Sequence, residues 1–157
     1  MEKGVELESR VYLACGWLTK DQRKSLDDAR QVLNKLGISN YATYYDGIKP
    51  DKESPPKRWG MAFRMNLGEL HYCQVMVAVI DDFDPVTMWA MGCFYPKPVI
   101  GYTSMPNRGL NIRLAQCFTA FANGKKELAE ILSQLDELIL HPSKFTESLK
   151  LKVETGG

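Results

Sequence analysis

The 157-residue sequence lacks the compositional marks of several classes of protein. Its twenty basic and nineteen acidic residues leave a formal net charge of +1, whereas proteins that bind nucleic acid through its phosphates usually carry a basic excess. No apolar run approaches the ~20 residues that span a bilayer. The first eight residues lack the basic-then-apolar order of a signal peptide. We therefore expect a soluble, cytoplasmic protein that binds neither nucleic acid nor membranes.

Metal-binding and phosphate-binding motifs are missing as well. The four cysteines form no Cys-x-x-Cys pair and the two histidines lie far apart, so no metal site is expected. Cysteines in the apolar runs of a cytosolic protein are usually core residues, and we prefer that interpretation to a catalytic thiol. No Gly-x-Gly-x-x-Gly follows the first apolar run, and neither a P-loop nor a Gly-x-Ser-x-Gly motif occurs. These absences argue against dinucleotide-binding, P-loop and serine-hydrolase functions.

What is present is an alternation of strand and helix patterns. The predicted strands cover residues 11–15, 38–45, 75–80 and 98–102. The predicted helices cover residues 20–36, 58–72, 87–94, 111–122 and 125–140. Such alternation implies a parallel sheet with helices on both faces. We expect one domain over residues 1–157, with a three-layer α/β, flavodoxin-like (Rossmann-like) fold and a peripheral tail from about residue 142.

The first predicted helix has clear signals at both ends. Leu26 and Leu33 lie on one face of it, as expected of a helix packed on a sheet. Thr19 and Gln22 have the spacing of a capping box, and Gly37 supplies a stop.

Polar and aromatic residues follow the predicted strands. In an open α/β sheet, ligands bind at the carboxyl ends of the strands, which places residues 15–18, 81–90 and 101–104 around one crevice. This crevice would hold a carboxylate cluster, amide side chains, Trp17 and Trp89. Aromatic rings flank planar ligands well, and carboxylates and amides hydrogen-bond sugar hydroxyls. The chemistry alone indicates a small polar ligand with a flat ring, such as a nucleoside.

Four short motifs, in this order, resemble the nucleoside 2-deoxyribosyltransferase family. Residues 11–19 read VYLACGWLT, similar to the family's Tyr-containing strand followed by Gly-Trp-Phe-Thr. Asn66-Leu67 stands at the family's Asp-Leu pair. Residues 84–92 read DPVTMWAMG, close to Asp-x-Gly-Thr-x-Trp-Glu-x-Gly, and residues 110–115 read LNIRLA. The resemblance spans about residues 10 to 135.

The resemblance implies exchange of nucleobases between 2′-deoxynucleosides through a covalent deoxyribosyl-carboxylate intermediate. In the family a glutamate attacks the anomeric carbon, as in retaining glycosidases. That position is Ala90 here, and a methyl group cannot attack. If Ala90 replaces a native glutamate, the protein is a pentosyltransferase; otherwise it is an inactive nucleoside- or nucleotide-binding protein. A third alternative is a deoxynucleoside N-glycoside hydrolase, in which water is the acceptor.

The resemblance also assigns roles to neighbouring positions. Asn66 would contact the base, but an amide cannot transfer a proton at neutral pH. Tyr12 would orient the nucleophile and Asp84 would bind the sugar hydroxyls. The other residues assigned to substrate binding are Gly16, Trp17 and Trp89.

Asn111 matches an asparagine that, in relatives, reaches into a neighbouring subunit's site. The resemblance therefore implies a homo-oligomer built from dimers, with a hexamer as one form. It implies a small nucleoside and a nucleobase as partners, and no metal or organic cofactor. Departures from the family at Asn66, Gln74 and Val86 favour natural divergence as the origin of Ala90.

Overall fold

Five parallel strands form a twisted sheet at the centre of the protein. The computed structural model describes residues 10–106, 110–147 and 149, so both ends of the predicted domain, 1–9 and 150–157, lie outside the described residues. The strands are β1 Val11–Ala14, β2 Asn40–Ala42, β3 Val75–Val79, β4 Val99–Thr103 and β5 Ala120–Asn123. Their order is β2-β1-β3-β4-β5, and every pairing is parallel. This is the flavodoxin-like order, which confirms the predicted fold class.

Helices follow the strands and cover the sheet. They are α1 Lys20–Lys35, α2 Thr43–Asp46, α3 Pro56–Tyr72, α4 Pro85–Phe94, α5 Ile112–Ala115, α6 Lys125–Leu132, α7 Leu135–Leu140 and α8 Ser143–Thr146. The helices predicted at 20–36, 58–72 and 87–94 are confirmed, with small shifts at their ends. Within the described ranges, no helix is long and apolar enough to cross a membrane.

The side chains of each central strand alternate between two apolar clusters, one on each face of the sheet. Val75, Val77 and Val79 belong to the cluster that includes the buried residues of α1, α6 and α7. Met76 and Ala78 belong to the cluster beneath α3 and α4. Successive strand residues point to opposite faces, so a fully covered parallel strand must be apolar throughout.

The capping signals of α1 act as the sequence predicts. The Thr19 hydroxyl accepts a hydrogen bond from the Gln22 amide at 3.2 Å, and the Gln22 side chain accepts one from the Thr19 amide at 3.2 Å. Gly37, just beyond the helix, has a φ of 68°. This left-handed conformation is the one that glycine adopts without a steric penalty.

The predicted second strand, residues 38–45, is wrong beyond Ala42. At that point the backbone turns into α2, because Asp46 accepts the Ala42 N–H at 2.9 Å and closes the turn. Arg30 on α1 holds the same carboxylate through two hydrogen bonds, of 2.6 and 3.1 Å. This long-range ion pair overrides the strand propensity of the Tyr- and Thr-rich segment.

The helix predicted over 111–122 is wrong beyond Ala115, because residues 120–123 form β5. That strand pairs with β4, and the rings of Phe118 and Phe121 lie against Gly101. A Cβ atom at Gly101 would stand 2.7 Å from the Phe121 ring, so only glycine permits this contact. Sheet pairing and ring packing thus override the helical propensity of an alanine-rich segment.

The helix predicted over 125–140 is interrupted and forms α6 and α7. At the break, the Ser133 hydroxyl donates to the Glu130 carbonyl at 2.7 Å, and the Gln134 amide donates to the Ile131 carbonyl at 3.0 Å. These short-range bonds compete with regular helical pairing. The predicted apolar stripe nevertheless stays buried across the break at Leu128, Leu132, Leu135 and Leu138.

The cysteines do not share one environment. Cys73 is buried, as expected for a core residue, and Cys15 is partly buried. Cys93 and Cys117 are exposed, which contradicts the core interpretation for these two. Cys93 lies on the side of α4 away from the sheet, since the buried residues of that helix include Ala90 and Phe94.

Candidate functional site

A cavity of about 170 Å³ opens at the carboxyl end of β1, between α3 and α4. Its volume is below the roughly 300–1,000 Å³ of sites for drug-sized ligands, so it can enclose one ring system rather than a whole dinucleotide. Its lining residues are Tyr12, Ala14, Cys15, Trp17, Thr43, Phe63, Asn66, Val86, Thr87, Trp89 and Ala90. Five predicted site residues thus come together, namely Tyr12, Trp17, Asn66, Trp89 and Ala90.

One wall of the cavity is the first half of α4, whose position depends on its cap. Asp84 accepts hydrogen bonds from the Thr87 amide at 2.9 Å and the Thr87 hydroxyl at 3.1 Å, both through Oδ2. This cap starts α4 just after a short 3-10 turn, Asp81–Phe83, which follows β3. Trp89 and the buried Ala90 then follow on the side facing the cavity.

Asp84 itself is set back from the cavity, beside Gly16. A Cβ atom at Gly16 would stand 2.9 Å from the Asp84 carboxyl carbon and 2.8 Å from the Gln22 amide nitrogen. Glycine therefore allows the chain after β1 to approach the cap of α4. Within the described residues, Oδ1 of Asp84 makes no hydrogen bond, so this oxygen can accept one from a ligand.

Two tyrosines lie side by side at the base of the site. The Tyr12 hydroxyl lies 3.1 Å from the Thr43 hydroxyl, and the Tyr41 hydroxyl donates to Oδ1 of Asn66 at 2.7 Å. The two rings are 5.7 Å apart. Burial raises the pKa of both phenols above the ordinary value, so both are neutral hydrogen-bonding groups at physiological pH.

Two pairs of packed aromatic rings contribute side chains to the cavity lining. Trp17 packs on Tyr44 at 5.7 Å between ring centroids, and Phe63 packs on Trp89 at 5.9 Å. Phe63 is 53% exposed and Trp89 is 46% exposed, which is high for such large apolar side chains. These rings therefore have free surface on which a planar ligand can stack.

None of the described residues that line the cavity carries a carboxylate. Ala90 presents only a methyl group at the position where the resemblance expects the nucleophile. Cys15 is no substitute, because burial, assisted by the charges of Asp81 and Asp84, raises the pKa of its thiol far above the ordinary value. The lining can stack and hydrogen-bond a ligand, but it holds no anionic nucleophile.

Besides Asp84, two predicted site residues, Gly16 and Asn111, lie outside the cavity lining. Gly16 stands behind it, and Asn111 is exposed, where its side chain accepts the Arg113 amide at 2.8 Å and caps α5. The expectation that residues 101–104 line the crevice is wrong. Strand order reverses between β1 and β3, so β4 lies on the far side of β3 from this cavity. Thr103 instead donates to Asp81 at 2.8 Å.

Three lining residues, Ala14, Phe63 and Thr43, were not predicted as site residues from the sequence. Ala14 is the last residue of β1 and directly precedes the predicted segment 15–18. Phe63 lies three residues before Asn66 on α3, so helical spacing puts both on the same side and could have identified it. Thr43 offered no comparable signal, because it belonged to a predicted strand that turns into α2. Its placement depends on where that strand ends.

A second hollow, of about 430 Å³, lies between α1 and α6. It is lined by Gln31, Val32, Lys35, Leu36, Lys125, Lys126 and Ala129. It is larger than the cavity at β1, but it has no aromatic ring and does not contain the carboxyl end of a strand. We therefore assign the candidate functional site to the smaller cavity.

Among the residues that the structure covers, no cluster of three or more metal-ligating side chains is placed to hold an ion.

Comparison with known proteins points to one family. The family model described as "Nucleoside 2-deoxyribosyltransferase" matches residues 11–133. A solved structure of a 2-deoxyribosyltransferase from the psychrotolerant bacterium Bacillus psychrosaccharolyticus has the same fold. It is 20% identical, with a TM-score of 0.66 over 76% of this chain and 89% of that one.

A second solved structure, a conserved protein from Enterococcus faecalis V583, is 15% identical. The match covers 87% of this chain and 98% of that one, with a TM-score of 0.48. No curated protein sequence matches the chain significantly.

Proposed function

The chain belongs to the nucleoside 2-deoxyribosyltransferase family, and from this membership we propose that it binds a nucleoside or nucleotide without forming the covalent deoxyribosyl intermediate. The observation that carries the proposal is Ala90, a buried methyl group in a cavity whose described lining includes no carboxylate. The rest of the cavity offers binding groups. The proposal is therefore a ligand-binding protein on a pentosyltransferase fold.

The lining of the cavity supports a set of binding contacts. The base would stack on the exposed rings of Phe63 and Trp89, and Trp17 would add a further aromatic contact. Asn66 would hydrogen-bond the base from α3. The family resemblance assigns the sugar hydroxyls to Asp84, which lies outside the cavity lining and whose Oδ1 makes no hydrogen bond within the described residues.

The chemical step needs two groups that these positions do not supply. In base exchange, a carboxylate oxygen bonds to the anomeric carbon while the carbon–nitrogen bond breaks and its electron pair leaves with the base. An acid must then protonate that base. The Ala90 side chain has no lone pair with which to attack. The Asn66 amide can donate a hydrogen bond but cannot transfer a proton at neutral pH. Tyr12 and Cys15, whose pKa values are raised by burial, stay neutral.

The two catalytic alternatives have weaker support. The transferase function requires a glutamate at position 90, which this chain lacks. The N-glycoside hydrolase function requires a base to activate water, and none of the described lining residues is a carboxylate or histidine. Both alternatives remain measurable outcomes of the experiment below.

We also propose that the protein assembles into a homo-oligomer based on dimers. Its support is the family resemblance at Asn111, whose exposed position just before α5 leaves it accessible to a second subunit. Sedimentation velocity at several protein concentrations tests the oligomeric state, and a single monomeric species would contradict the proposal.

The cytoplasmic location expected from the sequence stays a prediction.

The deciding experiment measures binding and base exchange separately. Calorimetry with 2′-deoxynucleosides tests binding, and chromatography of thymidine mixed with adenine tests exchange. We expect binding without formation of deoxyadenosine. The variant Ala90→Glu, combined with Asn66→Asp, should gain exchange because it restores a nucleophile and a proton donor.

The matched control is Ala90→Gln with Asn66→Asp, which has nearly the same side-chain size but no nucleophile and should stay inactive. Exchange or base release by the unchanged chain would contradict the proposal. Absence of binding to every deoxynucleoside and deoxynucleotide tested would contradict it equally.

A further inference from the structure

We infer that Tyr41 sets the base preference of the cavity, because it holds the Asn66 carboxamide so that its amino group is left for the ligand. The bound ring must then present a hydrogen-bond acceptor, such as a carbonyl oxygen, to Asn66. This inference rests on the proposed function, since it assumes that the cavity binds a nucleobase. It assigns a specificity-determining role to a residue that does not line the cavity.

Tyr41 is a buried residue of β2 whose side chain carries one polar group, a hydroxyl that needs a hydrogen-bond partner. It is 4% exposed, and its hydroxyl donates to Oδ1 of Asn66 at 2.7 Å. This is the one hydrogen bond that the hydroxyl makes within the described part of the chain. A buried O–H must find an acceptor, and the amide oxygen can accept while the amide nitrogen cannot. Tyr41 therefore determines which end of the Asn66 amide is engaged.

Gly47 closes over this hydrogen bond. A Cβ atom at Gly47 would stand 3.1 Å from the Tyr41 hydroxyl, 3.3 Å from Oδ1 of Asn66 and 2.7 Å from the Thr43 carbonyl. The glycine backbone therefore lies close to this hydrogen bond, and a side chain at position 47 would crowd it. Tyr41 is buried, and a hydrogen bond out of contact with water is stronger than an exposed one, which keeps the amide from turning.

The other end of the amide is the part that a ligand can use. Asn66 lines the cavity, and its Nδ2 makes no hydrogen bond within the described residues. An amino group only donates, whereas a carboxylate at the same position would only accept. Burial raises the pKa of Tyr41, so its hydroxyl stays a donor and the orientation persists across physiological pH.

Two matched pairs of nucleosides test the inference by calorimetry. 2′-Deoxyuridine and 2′-deoxycytidine differ in an oxo group beside a ring N–H against an amino group beside an unprotonated ring nitrogen, as do 2′-deoxyinosine and 2′-deoxyadenosine, so each pair exchanges the hydrogen-bonding pattern of one ring edge. We expect the oxo member to bind about five- to tenfold more tightly in at least one pair, which is the usual effect of one unpaired hydrogen bond. Asn66→Asp should reverse that preference.

The variant Tyr41→Phe should bring the affinity ratio close to one, because the amide is then free to turn. Tyr102→Phe is the matched control. It removes another strand hydroxyl, bonded to Ser104 at 2.9 Å and outside the cavity lining, so the ratio should not change. If Tyr41→Phe does not fold, Gly47→Ala disturbs the same hydrogen bond and should also lower the ratio.

The outcomes separate the inference from the function on which it rests. Binding of both members of each pair with equal affinity would overturn the role of Tyr41 and leave nucleoside binding intact. So would an unchanged ratio in Tyr41→Phe or a preference for the amino member. If none of the four nucleosides binds, both the inference and the proposed function fail.

Discussion

Helices α1 and α3 are nearly equal in length, at 16 and 17 residues, but they differ in how they meet the sheet. Six residues of α1 are buried, whereas α3 buries only Ala62 and Leu70. The apolar residues of α1 recur every three or four positions and therefore form one stripe. Those of α3 at positions 59, 61, 63 and 65 alternate, so a helix distributes them around its axis and leaves them exposed.

Helix α3 is held to the rest of the protein mainly at its carboxyl end, and not along one side of the helix. The Lys97 ammonium donates to the carbonyl oxygens of Leu70 at 2.7 Å and Cys73 at 2.7 Å, and lies 4.2 Å from the centre of the Phe94 ring. A cation at this end also suits the helix dipole. The two helices therefore differ in role: α1 packs along the sheet and stabilises the fold, whereas α3 contributes Phe63 and Asn66 to the lining of the cavity.

The largest expected effect tests the stabilising role of α1. Leu33 is fully buried in the cluster between α1 and the sheet. Leu33→Ala should lower the free energy of unfolding by about 2–5 kcal/mol, because it removes packing and leaves a cavity. Urea denaturation measures the change. Leu36→Ala, at a site 41% exposed at the end of the same helix, serves as the control and should lower it far less. Equal losses of unfolding free energy in the two variants would contradict the conclusion that the apolar stripe of α1 stabilises the fold.

A smaller change in the free energy of unfolding is expected when the ion pair that joins α1 to α2, Arg30 with Asp46, is removed. Burial opposes ionisation of Asp46, but the hydrogen bonds from Arg30 and the Ala42 amide outweigh it and lower the pKa of this carboxyl. A lowered pKa in the folded state stabilises the protein above the unfolded value, and this contribution is lost as the pH falls through the folded value. Asp46→Asn should therefore reduce the free energy of unfolding by about 1 kcal/mol at neutral pH.

Urea denaturation at several pH values tests the sign of this effect. The difference between Asp46→Asn and the unchanged protein should disappear as the pH drops below the ordinary aspartate range, about 3.9. Asp136→Asn removes a more exposed ion pair, with Arg10, and should change stability little at any pH. A difference that persists in acid would show that the Asp46 charge is not its source.

The smallest effect on stability should come from α3. Phe63 is 53% exposed, so Phe63→Ala should change the free energy of unfolding by less than about 0.5 kcal/mol. It should nevertheless weaken nucleoside binding by about 2- to 10-fold, because the ring offers a stacking surface. Met61→Ala, 45% exposed on the same helix but outside the cavity lining, should alter neither. A large loss of stability in Phe63→Ala with unchanged nucleoside binding would show that Phe63 stabilises the fold and does not contact the ligand.

The site was predictable where its residues follow a strand or share a helix face. Tyr12 and Trp17 flank the end of β1, while Trp89 and Ala90 lie on the helix after β3, so topology alone brings them together. Tyr41 and Thr43 were not predictable in the same way. Their positions depend on where β2 stops, and the ion pair of Asp46 with Arg30 decides that point.

Residue identity and local periodicity were enough to predict the alternation of β1, β3 and β4 with α1, α3 and α4, the apolar character of β3, and an alanine at position 90, where the family resemblance expects a nucleophile. Each of these depends on residue identity or local periodicity, which a single chain displays directly. Two features could be seen only in the folded protein: residues 120–123 form a strand, and the Tyr41 hydroxyl bonds to Asn66, 25 positions further along the chain. Pairing and hydrogen bonding at such separations depend on the packing of the whole sheet, since local propensity is weaker than the free energy of burying the matched surfaces.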